Sequence, residues 1–215
     1  MLALSKFLVY LMVACIQTNL KTSRADSFEV IYGAFFFKPI RNFSILPALY
    51  TIKSIIDAEG KSVKIYTFPD NISQVVKQTG LEGKILSSED LFCLYHEDSL
   101  SFEKSKLKDE AMLIRVDMYK QFLHRHCCGV HIVFTDLDQL FLSHAPLSKF
   151  LGSTTIQNWD LAHIHKGHGN NAGLFLVRSE GIRYGEDFFS KVLNIYNSTS
   201  FRTKSCKGVS CVQGG

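Results

Sequence analysis

The chain has 215 residues, of which 46% are hydrophobic and 20% charged, the make-up of ordinary globular material long enough for one substantial core. Its formal charge of +4 is mild. Three of the cations, Lys6, Lys21 and Arg24, lie in an opening stretch that has no acid, so that beyond it the 24 basic residues fall to 21 against 20 acidic. That near balance argues against a nucleic-acid partner held by phosphate neutralisation.

In the opening stretch, Lys6 precedes the apolar run Phe7 to Ile16, and a polar segment ends in Ser23-Arg24-Ala25. This is the pattern of a secretory signal peptide over residues 1–25, and the run falls short of the about 20 apolar residues that span a bilayer. The alternative is a short signal anchor that tethers the chain to a membrane, since Leu2 to Leu4 extend the run. The expectation is a domain over residues 26–215 in the secretory pathway, in the Golgi or endoplasmic reticulum lumen or secreted. Three sequons, Asn42-Phe43-Ser44, Asn71-Ile72-Ser73 and Asn197-Ser198-Thr199, suit a glycoprotein of that compartment. Once Cys15 leaves with the signal, the odd set Cys93, Cys127, Cys128, Cys206 and Cys211 remains, in which Cys206 and Cys211 frame a loop short enough to bridge.

Along the chain, Phe28 to Phe37 reads as a β-rich apolar run. Pro47 to Glu59 carries helical periodicity through Leu49, Ile52 and Ile56, and Ser62 to Phe68 alternates like a strand. A second helix is expected over Ile72 to Thr79, followed by a short apolar step at Ile85 and Leu86 and a polar region from His96 to Lys108. Asp109 to Arg125 places Met112, Val116, Tyr119 and Leu123 at helical intervals and ends at Cys127-Cys128-Gly129. The apolar strand Val130 to Thr135 comes next, then a short helix near Leu147 to Leu151 and a strand from Trp159 to His165. A polar loop over Lys166 to Asn171, a return strand from Ala172 to Val177 and an amphipathic helix from Glu180 to Tyr196 complete the order. Alternating strands and helices imply an α/β domain whose mostly parallel sheet is flanked by helices.

The chemistry concentrates where the strand Val130 to Thr135 runs into Asp136-Leu137-Asp138. In open α/β sheets, ligands gather beyond the carboxyl ends of such strands. Two carboxylates one residue apart repel each other, and a divalent cation with oxygen ligands, Mn²⁺ or Mg²⁺, relieves the repulsion and can hold a diphosphate. The plainer reading of the same residues is an Asp-x-Asp that caps a turn. His163 and His165 alternate on a strand and so share a face, which suits either a metal role or ordinary polar packing, and His168 follows in the loop.

Asp136-Leu137-Asp138-Gln139-Leu140-Phe141-Leu142, followed downstream by Asn171-Ala172-Gly173-Leu174-Phe175-Leu176-Val177-Arg178, resembles the core of the nucleotide-diphospho-sugar transferases. These are GT-A-fold (Rossmann-like) glycosyltransferases with an Asp-x-Asp motif and a later Asn-x-Gly strand. The resemblance covers roughly residues 109 to 196 and implies a metal-dependent transferase that moves a sugar from a UDP- or GDP-sugar donor to a glycan, glycoprotein or other hydroxyl acceptor. It implies Asp138 as the metal ligand and Asp136 as the donor-positioning carboxylate that shares the metal site. Asn171 and Gly173 would line the sugar pocket, the amide offering both donor and acceptor and the glycine letting the backbone come close. Arg115, with Lys120 as the competing choice, would reach the donor phosphates. Such families continue into a segment with a further acidic residue and a late His, whereas this sequence ends at Val212-Gln213-Gly214-Gly215, so the expected domain is incomplete at its C-terminus.

Two rivals stand beside this reading. One is a non-catalytic secreted or lumenal relative that keeps the fold without turnover. The other is a haloacid-dehalogenase-type phosphatase with Asp136 as nucleophile, a family that expects Gly-Thr where Gln139-Leu140 stands.

Overall fold

The computed structural model describes residues 29–37, 45–81, 83–101, 107–126, 129–143, 146–151, 160–166 and 169–197, with the backbone alone at 107–112, 163–166, 169–172 and 196–197. Segment 1–25, the Asn42 sequon, Cys127, Cys128, Cys206, Cys211 and His168 lie outside them. Among the described residues, no helix is long and apolar enough to cross a membrane.

The fold is a mixed α/β layer structure. Strands β1 (Glu29–Phe36), β2 (Lys64–Pro69), β3 (Leu94–His96), β4 (Val130–Thr135), β5 (Leu161–Lys166) and β6 (Gly169–Val177) form a single sheet in the order β3-β2-β1-β4-β6-β5. The first four strands in that order run parallel, while β6 is antiparallel to both β4 and β5. Helices α1 (Leu46–Glu59), α2 (Ile72–Gln78), α3 (Leu107–Arg125), α4 (Leu147–Leu151) and α5 (Ile182–Asn197) connect and cover the strands.

The period of two along the strands divides the core between the two faces. Tyr32, Ile65, Val133, Leu174 and Leu176 point to the face covered by α1 and α2, where they meet Leu49, Ile52, Ile55 and Val76. Ile31, Phe68, Ile132, Phe134 and Val177 point the other way, against Met118, Tyr119 and Phe122 of α3 and Phe189 of α5. Helix α1 starts with Pro47 in its first turn and stops at Gly60, whose φ of 92° lets its N–H turn back to the Ile56 carbonyl at 2.8 Å. In α2, the Asn71 side chain accepts from Gln74 N at 3.2 Å, so this sequon asparagine is also a helix cap.

Two elements differ from the expectations. The third parallel strand is Leu94–His96, entered by a 3-10 turn over Asp90–Cys93, rather than a step at Ile85 and Leu86. Leu86 is fully buried but lies outside any strand, and three residues are too few to display a period. The expected loop over Lys166 to Asn171 is mostly strand: β5 runs through Lys166, β6 begins at Gly169, and Asn170 and Asn171 pair with His165 and Ile164. In α3, burial extends beyond the expected stripe to Ile114, Met118 and Phe122, because α5 packs alongside α3 while the sheet lies beneath it.

The sheet centre is tight. Gly33 is the register partner of Phe134, and a Cβ at position 33 would stand 2.9 Å from two carbons of that ring. The same ring stacks on Tyr119, with centroids 4.2 Å apart at 18°. Gly33→Ala is therefore expected to destabilise the protein by about 1–3 kcal/mol through overpacking, read as a lowered urea midpoint. Phe134→Leu in the same chain should recover part of that loss, and strict additivity of the two changes would refute the contact as its cause.

A buried histidine adds a pH dependence. His131, 1% exposed, accepts at Nδ1 from Ser179 N at 3.0 Å, and burial lowers its pKa from the ordinary value. The unfolded chain then takes the proton first, so the stability this group contributes is complete above its unfolded pKa of about 6.5 and is lost as the pH falls toward the lower folded value. The stability advantage of the wild type over His131→Gln, measured by urea denaturation, should shrink from pH 7.5 to pH 5.

Candidate functional site

The strand order reverses between β1 and β4, since β1 leads through α1 to β2 on one side while β4 lies on the other. At such a switch point the connections diverge and leave a crevice at the carboxyl edge. Thr135, the last residue of β4, is fully buried and pairs with Ala34 of β1. Asp136 is the next residue, and the chain turns through Leu137 and Asp138 directly above that edge.

Helix α3 runs antiparallel to β4, and its contacts march along the strand accordingly. Tyr119 stacks on Phe134, and Arg115, one turn earlier on the same face, reaches Asp136. Arg115 Nη1 donates to Asp136 Oδ1 at 2.6 Å, with the arginine side chain 10% exposed and the carboxylate 29%. Arg115 is thus the cation on Asp136. Its Nε and the Tyr119 hydroxyl are buried without a hydrogen-bond partner among the described residues, two polar groups in the electrostatic neighbourhood of the carboxylate.

The Asp136 carboxyl is held above its ordinary pKa. Burial raises it, the charge and hydrogen bond of Arg115 pull it down without cancelling that effect, and the Asp138 charge raises it again. The ionised form of Asp136 therefore carries a cost in the fold that a nearby cation would reduce. Asp138, in contrast, is exposed.

The turn is pinned on two sides. Toward β6, Asp136 N donates to the Gly173 carbonyl at 2.7 Å and Gln139 Nε2 donates to the same oxygen at 2.8 Å. Toward α1, Gln139 N donates to Thr51 Oγ1 at 3.1 Å and Phe141 N donates to Ser54 Oγ at 3.0 Å. The structure thus brings together Asp136, Asp138, Arg115 and Gly173. Asn171 lies on β6 two residues before Gly173, at the register of Ile164, with its side chain outside the described atoms, as are the side chains of His163 and His165. Lys120 makes no described contact with the pair of carboxylates.

As a metal site, the donor set is oxygen only. Mg²⁺-type ions are commonly held by one or two carboxylates, with phosphates and water completing the shell. Asp138 and the Asp136 oxygen not taken by Arg115 fit that requirement, and no group of three or more His, Cys, Asp or Glu forms a metal cluster among the described residues.

No protein-family model matches the sequence, and no curated protein matches it. Among solved structures, the chain is similar to a glycosyltransferase involved in the glycosylation of the major capsid of PBCV-1, at 12% identity and a TM-score of 0.44, over 82% of this chain and 71% of that one. It is also similar to the glycosyltransferase GlyE of Streptococcus pneumoniae TIGR4, at 12% identity and a TM-score of 0.46, over 87% of this chain and 42% of that one. The apo form of GlyE gives 13% identity and a TM-score of 0.45, over 82% and 40%. The chain therefore spans less than half the length of GlyE, and likeness at this level assigns neither chemistry nor substrate.

Removing the Arg115 cation should raise the Asp136 pKa further. A folded carboxyl above its unfolded value means that stability falls as the pH rises through the interval between them, and Arg115→Met should extend that interval upward. Carboxylate NMR titration of Asp136 in both proteins measures the shift directly, and an unmoved titration would show that burial and Asp138 set it without Arg115.

Proposed function

We propose that this chain is the donor-binding domain of a divalent-metal-dependent glycosyltransferase that takes a UDP- or GDP-sugar. The observation that carries the proposal is the placement of two unlike carboxylates at one sheet edge. Asp136 is half-buried and held by Arg115 and β6, and Asp138 is exposed one residue further, both above the switch point between β1 and β4. The edge of a sheet at such a point is where an open α/β fold takes a nucleotide.

In this reading, Asp138 and Asp136 hold Mn²⁺ or Mg²⁺ against the donor diphosphate. When bound, the cation offsets the negative charge that builds as the nucleoside diphosphate departs. Asp136 fixes the donor side of the site because its carboxylate is already oriented by Arg115, and the remaining N–H groups of Arg115 suit phosphate or hydroxyl oxygens. Gly173 lets the β6 backbone approach the sugar, and Asn171 offers an amide to the sugar hydroxyls. A glycan or glycoprotein acceptor in the secretory lumen completes the proposal, supported by the signal-like segment 1–25 and the sequons.

Thermal unfolding with UDP, GDP and their sugars, each with and without Mn²⁺, tests the reading. A ligand at 100 times its dissociation constant adds about 2.7 kcal/mol, which for a chain of this size raises the midpoint by several degrees. The expected outcome is a rise that needs both nucleotide and metal and that disappears in Asp138→Ala, whose unliganded midpoint stays near that of the wild type. A Mn²⁺-dependent UDP response that survives Asp138→Ala would remove Asp138 from the site. Nucleotide-sugar binding without sugar transfer would identify a non-catalytic relative.

A further inference from the structure

One residue fastens the carboxylate turn on both flanks. Gln139 donates its backbone N–H to Thr51 Oγ1 on α1 and its side-chain amide to the Gly173 carbonyl on β6, linking partners 88 and 34 residues away in sequence. The Gly173 oxygen also accepts the Asp136 N–H, so the start and the end of the Asp-x-Asp turn converge on one carbonyl. On the α1 side, Thr51 is 1% exposed. Ser54 is one turn on, and its hydroxyl donates to the Thr51 carbonyl at 2.7 Å while accepting from Phe141 N at 3.0 Å. Each hydroxyl thus receives an N–H that the turn cannot satisfy within itself.

We infer that Gln139, Thr51 and Ser54 are positioning residues that hold the Asp136 to Asp138 turn in one conformation against the mutual repulsion of its carboxylates. The inference rests on the proposed donor site for its functional consequence, but the clamp itself is a property of the fold. The physical need is plain. Two like charges one residue apart favour any backbone arrangement that separates them, and a metal or diphosphate site tolerates errors of only about half an ångström. Ladder hydrogen bonds hold β4 only as far as Thr135. Beyond it, Asp136 is held by its N–H bond to Gly173 and by Arg115, and the rest of the turn by these side-chain contacts. Thr51 is buried, so water cannot readily replace its hydroxyl, and its loss leaves the Gln139 N–H without a nearby acceptor.

The test pairs NMR-detected amide hydrogen exchange with titration by UDP and Mn²⁺ on the full chain. In Thr51→Val, which keeps the side-chain shape, the Gln139 amide should exchange on the order of tenfold faster, the loss expected of one hydrogen bond. The Val133 amide in the middle of β4 should be unaffected. Gln139→Met should accelerate exchange at the Asp136 amide and at position 139 in the same way, and both variants should weaken Mn²⁺-dependent UDP binding by about tenfold. Thr51→Ser, which restores the hydroxyl, should return both readouts toward the wild type. Unchanged exchange at position 139 in a folded Thr51→Val overturns the clamp, and if that variant fails to fold, unchanged exchange in Gln139→Met does the same. A wild type that never responds to UDP, GDP or their sugars with Mn²⁺ overturns the donor reading, while the exchange rates still decide the clamp.

Discussion

The close approach of Phe134 to the backbone of Gly33 is the contact on which the site depends. Strand β4 lies beside β1 at the point where the strand order reverses, and its largest side chain must fit between that strand and α3. Gly33 leaves room for the ring, Tyr119 of α3 stacks on it, and this stacking helps to set the height of α3 over the sheet. With the height set, Arg115, one helical turn before Tyr119, meets the residue that follows the end of β4. An apolar packing event in the core thus delivers a guanidinium to a carboxylate at the edge.

The electrostatics of that edge are unbalanced by design of the packing. Arg115 neutralises Asp136 only in part, because burial and the neighbouring Asp138 charge together outweigh its pull on the proton. A buried ion pair rarely adds net stability, since desolvation consumes most of the attraction. Here the arginine serves geometry more than energy. It fixes one carboxylate oxygen, and in the proposed donor site the other would face the cation.

Much of the framework was legible in the sequence because long apolar periods report burial directly. Strands β1, β2 and β4 and helices α1, α3 and α5 stand close to where the periodicity puts them. The elements that differ are those whose period is too short or whose residues are polar: β3 has three residues, and the β5–β6 hairpin runs through Asn170 and Asn171, which interrupt the apolar pattern in the sequence while the strands pair through them. In the candidate site, the motif itself marked Asp136, Asp138 and Gly173, and the helix before it marked Arg115, although the partner of Arg115 proved to be the motif's own first aspartate. Thr51, Ser54 and the double role of Gln139 left no trace in the sequence. Their contacts bridge 34 to 88 residues and exist only once α1, β4 and β6 have been packed together.

The two aspartates look equivalent as letters, and the fold makes them different. Asp136 follows directly on a buried strand, gives its N–H to β6 and its carboxylate to Arg115, and has little freedom to move. Asp138 is exposed on a turn that is anchored just beyond it, at Gln139 and Phe141. A hydrated carboxylate on a fixed backbone can exchange its water for a cation at small cost in desolvation and in chain entropy. A half-buried one does so with less freedom, and in the proposed site its second task is to orient whatever the cation brings with it. In the proposed donor site, the order of the two residues along the chain thus matches their roles: Asp138 on the turn is the readier metal ligand, and Asp136 at the strand end shares the cation while it positions the donor.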